Sequence, residues 1–303
     1  MTEYGTPDVV RTGQADEPLV GPDFVLVSVR AAGVNPVDWK VVAGGLRGAF
    51  PHHLPMIPGW DVAGVVEAVG PAVTEVAVGD RVLAYDREDH VQLGTYAEKV
   101  SVPVRTVAKM PDGLDFVRAG ALPLAGLTAE QLLDAAEVAD GDTVLVHAAA
   151  GGVGGFASQL ARLRGARVVG SASRRNHDYL RARGVAPVEY GDGLVDAVRA
   201  EAPDGVDAVV DLFGGDGLAK TPELLADGGR VASVADAAKA FELGGRYVFV
   251  RPNAGMLARL AALVAAGDLE VDVAETFDLD RAGEALQTSK DSHVRGKLVV
   301  TLD

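Results

Sequence analysis

The alternation of apolar strands with helical segments after Asp115 limits the possible fold more than any other feature of the sequence. Strands are predicted at 143–147, 167–172, 187–190, 207–213, 230–235 and 247–250. Helices are predicted between most of them, for example at 153–164, 176–183 and 217–226. Such a series is typical of a parallel sheet that helices cover on both faces. We therefore predict an α/β protein with a doubly wound, Rossmann-type domain at 116–252.

The first third of the chain has a different pattern. Its apolar runs are short and lie between turn residues, which predicts strands at 24–34, 62–70, 80–85 and 95–102. We expect residues 1–115 to form a compact β-rich domain, such as a partly closed barrel. Residues 253–303 contain two helical segments and a final strand, and we expect them to return to this first domain.

Composition excludes several classes of function. The formal net charge is −15 with the acidic residues spread along the chain, so no nucleic-acid partner is expected. No apolar run approaches 18 residues, and no secretion leader is recognisable, so neither a membrane span nor export is expected. Cysteine is absent, which excludes disulfides, iron–sulfur clusters and thiol nucleophiles. A soluble cytoplasmic protein is the simplest interpretation.

A glycine-rich turn follows the first predicted strand of the Rossmann-type domain. Aligned with the motif G-x-G-x-x-G, the second glycine is Gly151 and the third is Gly154, whereas the first is replaced by Ala149. A glycine at the second position lets the backbone approach a pyrophosphate, and the amides that open the next helix hold the anion. The predicted cofactor-binding residues of this turn are Ala150, Gly151, Gly152, Val153 and Gly154. A purely structural turn is the alternative.

The end of the second strand indicates which dinucleotide would bind. An acidic residue about 20 positions after the glycines usually holds the ribose 2′-hydroxyl of NAD. Here the strand leads into Ser173, Arg174 and Arg175. A hydroxyl and two guanidinium groups can bind a 2′-phosphate that a carboxylate would repel, so NADP(H) is the predicted cofactor. Ordinary solvated surface charges remain the alternative for the two arginines.

Several segments together resemble the zinc-free quinone oxidoreductase branch of the medium-chain dehydrogenase/reductase superfamily. They are "AAGVNPVDWK" (31–40), "PGWDVAGVVEAVG" (58–70), "VGDRV" (78–82), "GTYAEKVSV" (94–102), "ALPLAGLTA" (121–129), "HAAAGGVG" (147–154) and "HVRGKLVV" (293–300). The resemblance implies a GroES-like catalytic domain formed by both chain ends, with the nucleotide domain inserted between them. It also implies a cleft where substrate and nicotinamide meet, and a homodimer joined through the last strands of two nucleotide sheets.

Candidate site residues follow from position and from this resemblance. Asn35 follows an apolar strand and precedes a proline, so an amide in a loop is expected, and in the family it lies near the nicotinamide ribose. Tyr96 is a candidate proton donor, with a packed core aromatic as the alternative. For Asp38 and Lys40, a loop salt bridge is the favoured interpretation. The remaining cofactor-binding candidates are Thr128, Tyr190, Phe213, Ser233, Val250 and Arg295.

The zinc-binding relatives differ from this chain at their ligand positions. They carry a cysteine where this chain has Val34-Asn35-Pro36, and a ligand histidine where it has Trp60. No metal site is therefore predicted. The expected function is transfer of a hydride from NADPH to a quinone or to the activated C=C bond of an α,β-unsaturated carbonyl. An enoyl-thioester reductase and a non-catalytic NADPH-binding protein are the alternatives.

Overall fold

The computed structural model describes residues 1–291 and 294–302. The chain divides into two compact units, one formed by Met1–Leu127 with Arg251–Asp303 and the other by Thr128–Val250. The domain boundaries predicted at 115/116 and 252/253 stay predictions. Which unit carries catalysis and which carries the nucleotide stays a prediction.

The strands, numbered in chain order, are β1 (Phe24–Val34), β2 (His52–Ile57), β3 (Asp61–Val69), β4 (Arg81–Tyr85), β5 (Val91–Leu93), β6 (Lys99–Pro103), β7 (Val107–Lys109), β8 (Thr143–Val146), β9 (Arg167–Ser171), β10 (Ala186–Val188), β11 (Val206–Asp211), β12 (Leu225–Ser233), β13 (Arg246–Tyr247), β14 (Val273–Asp278) and β15 (Lys297–Thr301). The helices are α1 (Pro36–Val42), α2 (Phe116–Ala121), α3 (Pro123–Ala135), α4 (Gly152–Leu163), α5 (His177–Ala182), α6 (Leu194–Glu201), α7 (Gly215–Ala219), α8 (Ala237–Glu242), α9 (Ala254–Ala266) and α10 (Ala282–Lys290).

The first unit is built around the long strand β1. The sheet runs in the order β14-β15-β1-β3-β4-β7, and β6 also pairs with β1. Residues 24–28 of β1 pair with β6, and residues 31–34 pair with β15, so one edge of this strand serves two partners in succession. Since β15 ends the chain, the last strand is hydrogen-bonded directly to the first. Its core is mainly valine, including the fully buried Val27, Val62 and Val300.

One predicted strand of the first unit begins later than the pattern indicated. The prediction placed a strand at 95–102, whereas β6 begins at Lys99. The amides of Thr95 and Tyr96 instead donate to the carbonyl oxygens of Gly59 and Pro58. Tyr96 is therefore held in a loop against the segment that precedes β3, and apolar periodicity alone could not show this.

The second unit is a parallel sheet with the strand order β10-β9-β8-β11-β12-β13. Counted from β8 as the first strand, this is the order 3-2-1-4-5-6 of a doubly wound fold. The predicted α/β class and the doubly wound sheet are confirmed. Val144, Leu145 and Val146 of β8 are fully buried, as expected for a central strand covered on both faces.

The helix predicted at 217–226 is wrong in extent. α7 ends at Ala219, and a single 3-10 turn over Thr221–Glu223 follows it. Pro222 lies within that turn, and a proline inside an α-helix would remove a backbone donor and clash with the preceding turn. β12 then begins at Leu225, before the predicted position 230.

None of the helices formed by the described residues has the length and apolar character needed to cross a bilayer.

Candidate cofactor and active-site residues

The glycine-rich turn connects β8 to α4 at the point where the strand order of the second sheet reverses. Ala148 adopts a left-handed backbone conformation with a φ of 53°, and the Gly151 amide donates to its carbonyl oxygen at 3.0 Å. The tight turn is thus made by Ala148, so residue 149 does not need glycine's freedom. The Ala149 amide donates to the Ser171 carbonyl oxygen at 3.0 Å, which ties the turn to β9.

Two glycines explain how an alanine is accommodated at position 149. A Cβ atom placed on Gly170 of β9 would lie 2.7 Å from the Ala149 methyl carbon, so glycine there leaves room for that methyl group. A Cβ atom on Gly154 would collide with the Ala148 carbonyl oxygen and lie 2.7 Å from the Ala149 Cα. Gly154 therefore has the close helix–strand contact expected of the third glycine in the motif.

The first turn of α4 provides donors suited to an anion. Gly151 is the N-cap residue, and its lack of a side chain means that no side-chain oxygen caps the amides of the first turn. These amides lie at the positive end of the helix dipole. The turn also lies at the carboxyl end of β8, beside the switch point between β8 and β11. This donor set fits a dinucleotide pyrophosphate.

The end of β9 carries no acidic side chain between Ala172 and Asn176. Ser173 has extended backbone, and its Oγ accepts a hydrogen bond from Asn176 Nδ2 at 3.2 Å. Arg174 and Arg175 are exposed on the 3-10 turn that follows, and Tyr190, just past β10, is 60% exposed. The four side chains thus lie at the carboxyl ends of neighbouring parallel strands, β9 and β10. This set fits a phosphate group better than a ribose hydroxyl.

The later strands contain one polar group that the sequence analysis missed. Asp211 ends β11 fully buried, and its carboxylate accepts hydrogen bonds from Ser233 Oγ at 2.6 Å and from the Gly214 amide at 2.9 Å. The Ser233 hydroxyl is thereby engaged in holding the ends of β11 and β12 together. The sequence did carry a signal for this contact, because an aspartate at the carboxyl end of an apolar strand is unusual.

The other predicted cofactor residues differ widely in exposure. Phe213 is 80% exposed just beyond β11, and Arg295 is exposed just before β15. Val250 and Thr128 are buried, with 7% and 2% of their surface exposed. The roles of these four residues in cofactor binding stay predictions.

In the first unit, Asn35 is the N-cap residue of α1 and not a free loop residue. Its backbone N–H donates to Asp38 Oδ2 at 2.8 Å, as in a capping box. Tyr96 Oη donates to the same Oδ2 atom at 2.8 Å. The expected salt bridge between Asp38 and Lys40 is wrong. Asp38 is 2% exposed, whereas the Lys40 ammonium lies 5.6 Å from the centre of the Trp39 ring.

The Asn35 side chain is held on both sides by groups that are distant in sequence. Its Nδ2 donates to Asp61 Oδ2 at 2.8 Å, and its Oδ1 accepts from Lys297 Nζ. Lys297 Nζ also donates to the Val34 carbonyl oxygen at 2.9 Å and lies 3.9 Å from Asp61 Oδ2. The Leu124 amide donates to the other carboxylate oxygen of Asp61 at 2.8 Å. We call Asn35, Asp38, Asp61, Tyr96 and Lys297 the buried polar network.

Burial controls protonation in this network. It raises the pKa of Asp38 to about 7 and that of Asp61 to about 6, although hydrogen bonds and Lys297 oppose the shift. Burial also lowers the pKa of Lys297 and raises that of Tyr96. Two carboxyl groups share a single nearby ammonium group, so Asp38 is the member that can hold a proton near neutral pH.

The buried polar network does not fit a zinc site of the kind that zinc-dependent dehydrogenases use. The chain has no cysteine, and Trp60 offers no ligand atom. The Asn35 amide is engaged by Asp61 and Lys297, and an ammonium group would repel a metal cation. Across 1–291 and 294–302, no group of three or more His, Cys, Asp or Glu side chains is placed to hold a metal ion.

The raised pKa of Asp38 predicts a pH dependence of stability. The folded protein keeps a proton on this carboxyl group that the unfolded chain releases near pH 3.8, so its contribution is lost as the pH rises through about 7. Asp38→Asn removes this titration but keeps an oxygen acceptor. The difference in Tm between variant and wild type should therefore become more positive from about pH 4 to about pH 7. Asp89→Asn, in a fully exposed side chain, is the control, and a pH-independent difference for Asp38→Asn contradicts the assignment.

Comparison with known proteins shows the family to which the chain belongs. A family model described as the alcohol dehydrogenase GroES-like domain matches residues 21–112, and one described as zinc-binding dehydrogenase matches residues 184–300. The chloroplastic NADPH-dependent alkenal/one oxidoreductase of Arabidopsis thaliana is 33% identical over 309 residues, covering 99% of this chain and 78% of the plant protein. The pikromycin polyketide synthase component PikAII of Streptomyces venezuelae is 35% identical over 95% of this chain, which spans only 8% of that protein.

A solved structure extends the likeness to three dimensions. The quinone oxidoreductase from Coxiella burnetii has a TM-score of 0.88 and 33% sequence identity, and the match covers 100% of this chain and 98% of that one. The predicted resemblance is thus confirmed over the length of the chain. This chain belongs to the quinone oxidoreductase branch of the medium-chain dehydrogenase/reductase superfamily.

Proposed function

We propose that this oxidoreductase is NADPH-dependent and zinc-independent, and that it reduces quinones or the activated C=C bond of α,β-unsaturated carbonyl compounds. The observation that carries the cofactor choice is the end of β9, where Ser173, Arg174 and Arg175 occur without a carboxylate. The activities for which the plant and Coxiella relatives are named support the choice of acceptors.

The second unit holds the cofactor in this proposal. The amides of residues 150–154 bind the pyrophosphate, and Gly151 and Gly154 keep side chains away from it. Ser173, Arg174, Arg175 and Tyr190 bind the 2′-phosphate, while Thr128, Phe213, Ser233 and Val250 border the rest of the molecule. When bound, NADPH supplies the hydride from C4 of its nicotinamide ring.

The buried polar network fixes the orientation of one side-chain amide. Because Lys297 donates to Oδ1 of Asn35 and Asp61 accepts from its Nδ2, the amide can adopt only one orientation. One N–H of Nδ2 is used by Asp61, and in this proposal the second donates to an oxygen of the substrate. Such a donor is already positioned before the reaction starts, so it stabilises negative charge that develops on that oxygen.

The choice of substrate class rests on the side chains of the buried polar network, which do not fit a zinc ion. A carbonyl group in this site would be polarised by hydrogen bonds alone, which suits acceptors whose reduction needs little electrophilic assistance. Quinones and enones meet this condition because the negative charge after hydride addition is delocalised onto an oxygen. The likeness to a polyketide synthase component supports the enoyl thioester as a second candidate acceptor.

A panel of acceptors tests the function. Loss of NADPH absorbance should be followed with a quinone, an enone and an enoyl thioester, each with NADPH and with NADH. We expect turnover with the quinone or the enone and a preference for NADPH. Turnover only with the enoyl thioester would transfer the assignment to that substrate. Tight NADPH binding without turnover of any acceptor would favour a non-catalytic NADPH-binding protein.

Removing the two arginines tests the 2′-phosphate site. Hydrogen bonds to charged groups contribute about 1.5–3 kcal/mol each. The double variant Arg174→Ala/Arg175→Ala should therefore raise the Kd for NADPH at least about tenfold and leave the Kd for NADH unchanged. Arg118→Ala is a matched control, because this arginine lies on α2 in the first unit, in an ion pair with Asp115. Equal weakening of both cofactors would contradict a 2′-phosphate site.

We also propose a homodimer formed through β13. This two-residue strand is the end of the second sheet, and Phe241 and Phe249 beside it are 63% and 39% exposed. A sheet edge of this kind can pair with the same edge of a second copy. Exposed aromatic side chains beside the edge would be covered by that pairing.

Light scattering coupled to size-exclusion chromatography tests this assembly. Wild type should elute with twice the mass of the chain, and Phe249→Asp should shift it toward the monomer because a carboxylate is placed in the apolar contact. Leu163→Asp is the control, since Leu163 is 51% exposed at the end of α4. A wild-type monomer at micromolar concentration would refute the dimer.

A further inference from the structure

A small pocket of the first unit adjoins the buried polar network. Its lining includes Asp38, Ile57, Trp60, Asp86, Glu88 and His90. Trp60 packs edge-on against Tyr85, with ring centres 6.2 Å apart, which gives the pocket an aromatic wall. Two buried acidic residues, Asp38 and Asp86, therefore line the same small space.

Asp86 is the group in this pocket that the contacts of the described residues leave unexplained. It directly follows β4 and is 4% exposed, and its amide donates to the Trp60 carbonyl oxygen at 2.6 Å. Its Oδ1 atom is buried without a hydrogen-bond partner among those residues. An unpaired buried polar atom is costly to stability, so its persistence beside a pocket points to a ligand.

The surroundings of Asp86 favour the neutral acid. Burial raises the pKa of this carboxyl group well above its ordinary value, Glu88 adds to the rise, and Arg105 opposes it. Asp80, half-buried just before the same strand, shows the opposite case, since Lys109 and the Ala77 amide lower its pKa. Burial therefore favours the protonated form of Asp86, which lines the pocket together with Asp38, Glu88 and His90.

Tyr96, the donor expected from the sequence, has its proton directed elsewhere. Its hydroxyl group donates to Asp38 Oδ2, which already accepts from the backbone N–H of Asn35. A Cβ atom added to Gly59 would lie 2.5 Å from a Tyr96 ring carbon, so the tyrosine ring is packed against the chain. Asp86 Oδ1, in contrast, has no acceptor for a proton within the part of the chain that the structure describes.

We propose that Asp86 is the proton donor that completes reduction of the acceptor, an inference that rests on the proposed function. Hydride addition to carbon, for which NADPH would supply the hydride and leave as NADP⁺, moves an electron pair onto the acceptor oxygen. The O–H bond of the Asp86 carboxylic acid breaks, and its proton forms a new O–H bond on that oxygen. The resulting carboxylate regains a proton from solvent water before the next turnover.

This assignment also restricts the acceptor. A neutral carboxylic acid in a small pocket donates a hydrogen bond to an oxygen, so the acceptor must present a carbonyl or quinone oxygen there. The Trp60 indole ring beside it suits the flat, conjugated part of a quinone or enone. A protonated carboxyl donor thus assists the acceptor through a hydrogen bond and a proton, without a metal ion.

The test compares three variants of the full-length protein. Asp86→Asn replaces the acid by an amide of the same shape that cannot donate a proton. Asp89→Asn makes the same change at a fully exposed side chain three residues further along the chain. Tyr96→Phe removes the hydroxyl group that donates to Asp38. Thermal unfolding and titration with NADPH show that each variant folds and binds the cofactor.

We expect Asp86→Asn to lower kcat by about 100-fold or more, the usual contribution of a general acid. Asp89→Asn should stay close to wild type in kcat, and Tyr96→Phe should lose less of kcat than Asp86→Asn. A second readout does not depend on turnover. The infrared band of a protonated carboxyl group should persist in the unliganded wild type at mildly alkaline pH, where Asp38 and Asp61 are ionised, and should disappear in Asp86→Asn.

The outcomes separate the two proposals. Unchanged kcat in Asp86→Asn, or no carboxyl band that this variant removes, overturns the role of Asp86 and leaves the proposed reaction standing. A large loss of kcat in Tyr96→Phe together with unchanged kcat in Asp86→Asn assigns the proton to Tyr96 instead. If the wild-type protein fails to oxidise NADPH with every acceptor tested, the proposed function is overturned, and no proton donor is then needed.

Discussion

The hydrogen bonds that hold the Asn35 amide between Asp61 and Lys297 are the interaction on which the first unit depends. They join the end of β1, the start of β3 and the start of β15, which are separated by most of the chain. A buried charge is tolerated only when it is paired and hydrogen-bonded. The three segments must therefore meet correctly for any of these side chains to be buried, and the candidate site and the strand order of the sheet are specified together.

Burial of carboxyl groups gives the first unit its chemical character. Asp38, Asp61 and Asp86 all have raised pKa values, but for different balances of forces. Two hydrogen bonds and Lys297 oppose the rise at both Asp38 and Asp61, whereas at Asp86 the charge of Arg105 opposes it. The same residue type can thus orient an amide or carry a proton, depending on its partners.

Much of the architecture could be predicted from local patterns. The six parallel strands, the turn at 148–154 and the arginines after β9 follow from periodicity and from residue types that bind phosphate. The replaced first glycine was explained only by the fold, because Ala148 makes the turn and Gly170 lies on another strand. The roles of Asp61, Asp86 and Lys297 were not visible either, since isolated acidic and basic residues in apolar strands carry no spacing that links them.

The sequence by itself determined the class of fold, the position of the dinucleotide turn and the absence of cysteine ligands, because these depend on residue type and short-range spacing. Only the tertiary structure decided which side chains share a proton or an amide. It placed Asn35, Asp61 and Lys297 in contact and directed the Tyr96 hydroxyl to Asp38. It also left Asp86 Oδ1 beside a pocket without a partner among the described residues. Such contacts arise from strand pairing across long separations, and protonation then follows from burial, which no local pattern encodes.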